Sequence, residues 1–148
     1  MWIYILLMVA LVAADQAIKA TIVSHIALGA STSVVPGLLL TNLHNNGAAW
    51  SILEGKMSFF YLISVVALVI MGYLLWRLRG KWAYEVGISL MIAGTLGNFI
   101  DRVRLGYVVD MFQLDFINFP IFNFADSCLT IGVIFILIGV LRDDSFDK

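Results

Sequence analysis

A chain of 148 residues that is 61% apolar and 13% charged carries roughly half the charge of an ordinary soluble domain, which excludes a soluble globular protein. The net charge of −1 comes without a basic run or an acidic block, so nothing points to nucleic acid as a partner. The single Cys128, inside an apolar run, excludes an intramolecular disulfide, and His25 and His44 lack the i, i+4 spacing of a helical metal site. Neither a metal nor a cofactor is expected.

In chain order, residues 1–14 are apolar without interruption, and the pattern continues through DQAIK at 15–19 into residues 20–26. This is a first membrane span, over about residues 2–24. Val12-Ala13-Ala14 looks like a small-residue cleavage site, but the basic segment that opens a signal peptide is absent. Residues 29–56 change character: the Pro36-Gly37 turn and several Ser, Thr and Asn break up short β-branched and leucine runs, which predicts a small extramembrane β-element. Residues 57–76 carry no charge and match the length of a second span. A third span is predicted over about 82–101 and a fourth over about 126–142. The predicted fold is therefore a single integral membrane domain over 1–148, all-α, with four transmembrane helices and an extracytoplasmic β-element between the first two.

The basic turn Arg77, Arg79, Lys81 between the second and third spans is expected on the cytoplasmic side, which puts both termini there. Arg102 and Arg104 then lie outside, against the tendency. With a rise of about 1.5 Å per residue, Asp15 sits about 20 Å from the inner end of the first helix, in the outer leaflet. The third helix brings Asn98 and Asp101 to the same outer end, and the fourth begins there with Asp126. Polar groups from three helices converge at one depth.

Asp15 and Lys19 have the i, i+4 spacing of a helical ion pair, with Lys19 expected to snorkel outward. NLHNNGAAWSI at 42–52 reads as a polar turn: Asn45, Asn46 and Gly47 can expose amides towards a cleft, and Trp50 suits an interfacial anchor. Gly94, Gly97, Asn98, Asp101 and Arg102 form GxxGNxxDR; the glycines admit a neighbouring helix, and Asp101 and Arg102 are expected to clamp each other. Asp110 follows a β-branched run and is expected on an extended loop. Asn123 and Asp126 have the spacing of an N-cap and its N3 partner. Two carboxylates at the rim of a membrane cleft are the equipment of an aspartic hydrolase, in which close like charges share one proton. A small transporter or channel would also gather intramembrane acids, and a structural subunit is a third reading; neither calls for Asp110 and Asp126 to meet.

Five motifs in order, DQAIK at 15–19, NNGAAW at 45–50, GTLGNFIDR at 94–102, GYVVDM at 106–111 and FNFADS at 122–127, resemble those of the bacterial lipoprotein signal peptidases, or signal peptidase II. The resemblance implies an intramembrane aspartyl endopeptidase of the cytoplasmic membrane; a monomer with membrane lipid around it is the expected state. It would remove signal peptides from lipid-modified prolipoproteins by cutting before the cysteine that carries diacylglycerol. By motif, Asp110 and Asp126 correspond to the catalytic pair. Asp15, Lys19, Asn45, Gly47, Asn98, Asp101, Arg102 and Asn123 take supporting or substrate-binding positions. Trp50 and Met111 stand where phenylalanine is more familiar, and the segment 111–122 is short, so the form of the outer flap is the open point.

Overall fold

The computed structural model describes residues 1–47 and 55–142; Trp50, with its anchoring role, lies outside them. Four helices are long and apolar enough to cross a membrane: α1 (Trp2–His25), α2 (Met57–Arg77), α3 (Trp82–Leu105) and α4 (Phe124–Arg142). Their outward residues are apolar: Ile3, Leu6, Leu62, Val69 and Leu137 are all more than half exposed. A soluble protein rarely leaves so continuous an apolar surface uncovered, whereas acyl chains are its natural cover.

Helix α3 is the centre, packing against α1, α2 and α4, and it is the most buried of the four. Its glycines allow this. A methyl group at Gly94 would run into the Ala125 carbonyl of α4, and one at Gly97 would meet Asp15 of α1 and Ala125. The small residues in GxxG thus set how closely three helices meet.

The β-element is larger than the sequence predicts. Strands β1 (Ser31–Val35) and β2 (Leu38–Asn45) are joined by a third, β3 (Val108–Leu114), in an antiparallel sheet of order β1-β2-β3. It is therefore not confined to the segment between the first two spans, and Asp110 stands on a strand rather than a loop. The physical reason is that the run after Gly106 is β-branched and finds in β2 a partner with free backbone groups. Gly106 takes a left-handed conformation, φ 79°, which ends α3 with its amide on the Arg102 carbonyl at 3.1 Å and turns the chain into β3. The other edge of β3 is held too, because Phe112 and Phe122 exchange backbone hydrogen bonds of 2.7 and 3.1 Å. The short segment 111–122 thereby folds back on itself and returns directly to α4.

Candidate active site

Strand register delivers the first carboxylate. Leu43 pairs with Asp110 and Asn45 with Val108, which sets Asn45 beside Asp110, its Nδ2 donating to Oδ2 at 2.8 Å. The second carboxylate comes from a helix start. Asn123 Oδ1 accepts from the Asp126 amide at 2.9 Å, and Asp126 Oδ2 accepts from the Asn123 amide at 3.1 Å. This is the reciprocal cap predicted from the spacing. It leaves Asn123 Nδ2 free to donate to Asp110 Oδ1 at 2.7 Å and Asn98 Oδ1 at 3.0 Å. One asparagine, fully buried, therefore touches both carboxylates.

Asn98 fixes the other side of Asp126. Its Oδ1 already accepts from Asn123 and from Lys19 Nζ, the latter at 3.0 Å, so its Nδ2 is turned to Asp126 Oδ1 at 2.8 Å. Lys19 does not snorkel outward. It is 3% exposed, and its three donors meet Asp15 at 2.9 Å, Asp101 at 2.8 Å and Asn98, matching the capacity of an ammonium group. The depth of these partners explains the correction: an amine with three oxygens inside the bundle gains nothing by reaching for water. The Asp101–Arg102 clamp is corrected with it, since Asp101 is spent on Lys19, Gln16 Nε2 at 2.9 Å and the Val109 amide at 3.2 Å. Asp15 in turn accepts from the Ala125 amide at 3.1 Å, capping the first turn of α4 from α1.

Arg102 turns to the cleft instead. Its guanidinium lies over the Phe60 ring at 4.7 Å, and one nitrogen approaches the Gly47 carbonyl at 3.4 Å. Its buried Nε has no hydrogen-bond partner among the described residues. Tyr61 holds the Arg102 backbone carbonyl at 2.9 Å. Gln16, Phe60 and Tyr61 are members of the site that sequence reasoning missed. Gln16 stands beside Asp15 in an apolar run and could have been found there; Phe60 and Tyr61 look like ordinary residues of an apolar span.

A cavity of about 780 Å³ opens here, with Asn45, Arg102, Asp110 and Asp126 at its polar end and Ile63, Leu129 and other apolar side chains along the rest. Asp110 is 2% exposed. Burial pushes its carboxyl up to about 6; the Asn45 and Asn123 hydrogen bonds pull the other way and the facing Asp126 pushes further up. On the sheet, His44 stacks on Tyr107 at 3.7 Å, and burial holds its imidazole below the ordinary value. No group of His, Cys, Asp and Glu among the described residues is arranged to hold a metal ion.

Four apolar helices closing around carboxylates, amides and a guanidinium at one end of a cleft define a multi-pass membrane enzyme. The particular kind follows from its likenesses. The sequence profile described as signal peptidase (SPase) II matches residues 7–142. The chain is 88% identical to the lipoprotein signal peptidase of Lactiplantibacillus plantarum, over the whole of both chains. It is 54% identical to that of Enterococcus faecalis, over 99% of this chain and 92% of the other. A solved bacterial membrane enzyme, determined by the in meso method at 2.3 Å resolution, superposes with a TM-score of 0.90 at 44% identity, covering 100% of this chain and 93% of that one. The chain belongs to the signal peptidase II family and is a multi-pass bacterial membrane protease. The transporter and structural-subunit readings fall with that membership.

Proposed function

We propose that this chain, which as a family member removes signal peptides from prolipoproteins, does so as an aspartic endopeptidase cutting before the cysteine that carries diacylglycerol. The observation that carries the reading is Asn123, whose backbone and side chain contact both Asp110 and Asp126 and hold them to one site. Asp126 is the base and Asp110 the acid. The assignment rests on Asp110, whose neutral form burial favours. As a water oxygen bonds to the scissile carbonyl carbon, Asp126 takes the water proton and Asp110 gives its own to the carbonyl oxygen. Collapse of the resulting diol returns a proton to Asp110, and Asp126 passes its proton to the leaving amine. Asn45, Gly47 and Arg102 line the rim where substrate backbone would lie. Asp15, Lys19, Asn98, Asp101 and Asn123 hold the pair in place. The chain works as one domain and a monomer, with lipid around its helices.

The pH dependence follows from Asp110. The active pair holds one proton, so for the free enzyme kcat/KM should fall as pH rises through an apparent value near 6. Asn45 donates to the ionised form, so Asn45→Val removes a stabiliser of the carboxylate and should move the alkaline limb to higher pH. Initial rates on a diacylglyceryl lipopeptide across pH 5–9 measure both. A limb that stays put in the variant would remove Asp110 as the proton carrier.

For orientation, the positive turn at Arg77, Arg79 and Lys81 is assigned to the cytoplasm with both termini, and the sheet and dyad to the outer leaflet. In intact cells, an impermeant maleimide is expected to label Ser31→Cys, on the exposed edge strand β1, without permeabilisation. Labelling only after the cytoplasmic face is opened would invert the orientation.

A further inference from the structure

Beyond the dyad, the cavity runs between α2 and α4, where its wall is apolar: Ile63 and Ala67 on one side, Leu129 and Ile131 on the other. Four hydroxyl side chains also line it: Ser64, Thr95, Ser127 and Thr130. Two of them are spent on their own helix, Ser127 on the Asn123 carbonyl at 3.1 Å and Thr130 on the Asp126 carbonyl at 3.0 Å. Ser64 and Thr95 differ. Neither hydroxyl has a hydrogen-bond partner among the described residues, and Ser64 is only 8% exposed. Ser64 is buried and Thr95 part-buried, and both line the same cavity; two hydroxyls there with no protein partner suit a ligand that brings an acceptor.

Their depth narrows the ligand. Thr95 is three residues before Asn98 on α3, so it lies about 5 Å, roughly one helical turn, below the group that holds Asp126. Ser64 is one turn further along α2 than Phe60, which covers Arg102 at the polar end. The hydroxyls thus sit just inside the membrane side of the reacting centre, where apolar walls suit acyl chains. A helical signal segment keeps its carbonyls bonded within itself. The acceptors that acyl chains carry to this depth are their ester carbonyls, a few bonds from the cysteine sulfur.

Resting on the function proposed above, we propose that Ser64 and Thr95 form a two-hydroxyl subsite that donates to an ester carbonyl of the substrate's diacylglyceryl group. They are binding residues, and they make the enzyme discriminate a glyceryl ester from a glyceryl ether of the same shape.

The test uses the full chain in lipid and two lipopeptides that differ only in carrying a diester or a diether glyceryl group. The wild type should cut the diester with kcat/KM about tenfold higher than the diether, from two hydrogen bonds of ordinary strength, with the difference in KM. In Ser64→Ala/Thr95→Val the diester should drop to the diether's value and the diether stay unchanged; Thr95→Ser, which keeps a hydroxyl, should restore part of the preference. An equal loss on both substrates would show that the hydroxyls serve a peptide carbonyl, and an unchanged ester preference would show that they serve nothing in the lipid. Either result overturns the subsite while leaving the function intact. A wild type that cuts neither lipopeptide would overturn the function and the subsite together. Should the double variant melt early, Ser64→Ala alone decides, by a several-fold loss confined to the diester.

Discussion

Asp110→Asn and Asp126→Asn are each expected to lower prolipoprotein cleavage by about 10³-fold or more, with the inserted protein still folded. Proton transfer by a positioned group contributes about 10²–10⁴-fold, and in the proposed mechanism each residue carries one half of a shared transfer. The fold should survive because neither carboxylate forms a direct salt bridge among the described residues: the buried ion pairs run through Lys19 to Asp15 and Asp101. Turnover by the purified variants, read beside their melting temperatures in detergent, separates loss of chemistry from loss of structure. Near-normal turnover in either variant would exclude this pair and leave Asp101 as the next carboxylate to consider.

The second large effect is expected at Lys19. Lys19→Met removes the cation that forms salt bridges with both Asp15 and Asp101 and leaves both carboxylates buried, at 1% and 2% exposure. Breaking a buried pair by deleting one partner costs about 3–5 kcal/mol, which should show as a large drop in melting temperature. Activity should fall with it, because Asn98 loses one of the two donors that keep its amide turned towards Asp126. Adding Asp101→Asn to Lys19→Met removes one orphaned charge and should recover part of the stability but little of the activity. A Lys19→Met protein that melts like the wild type would show that the carboxylates take up protons at little cost, and that the ammonium is not what holds the three helices.

What could be read from the sequence was local. The four helices fall on long apolar runs; α3 continues past the predicted end at 101 to Leu105, because Arg102 and Arg104 look like loop residues yet Gly106 is the stop. The Asn123–Asp126 cap was legible because both partners lie within one turn. The sheet was half legible: β1 and β2 are joined by a tight Pro-Gly turn, whereas β3 meets β2 only across two spans. Likewise, nothing near Asp101 announces Lys19, 82 positions earlier, and its neighbour Arg102 is the nearer but wrong partner. The convergence of polar residues from three helices came through, since helix rise governs which ends meet. The direction each side chain then takes is decided by contacts between distant segments.

The bond from the Ala125 amide to Asp15 joins residues 110 apart, and it bears on how the protein is made. While the chain emerges, α1 inserts with Asp15, Gln16 and Lys19 already in it, yet the helix that Asp15 caps and the strand that Asp101 anchors do not exist. Until α4 enters the bilayer, Asp15 lacks one of its partners and Asp110 has no second carboxylate beside it. On the proposed dyad the chain gains activity only once α4 has arrived, and a chain cut short before residue 123 lacks the groups that Asp15 and Asn98 bind.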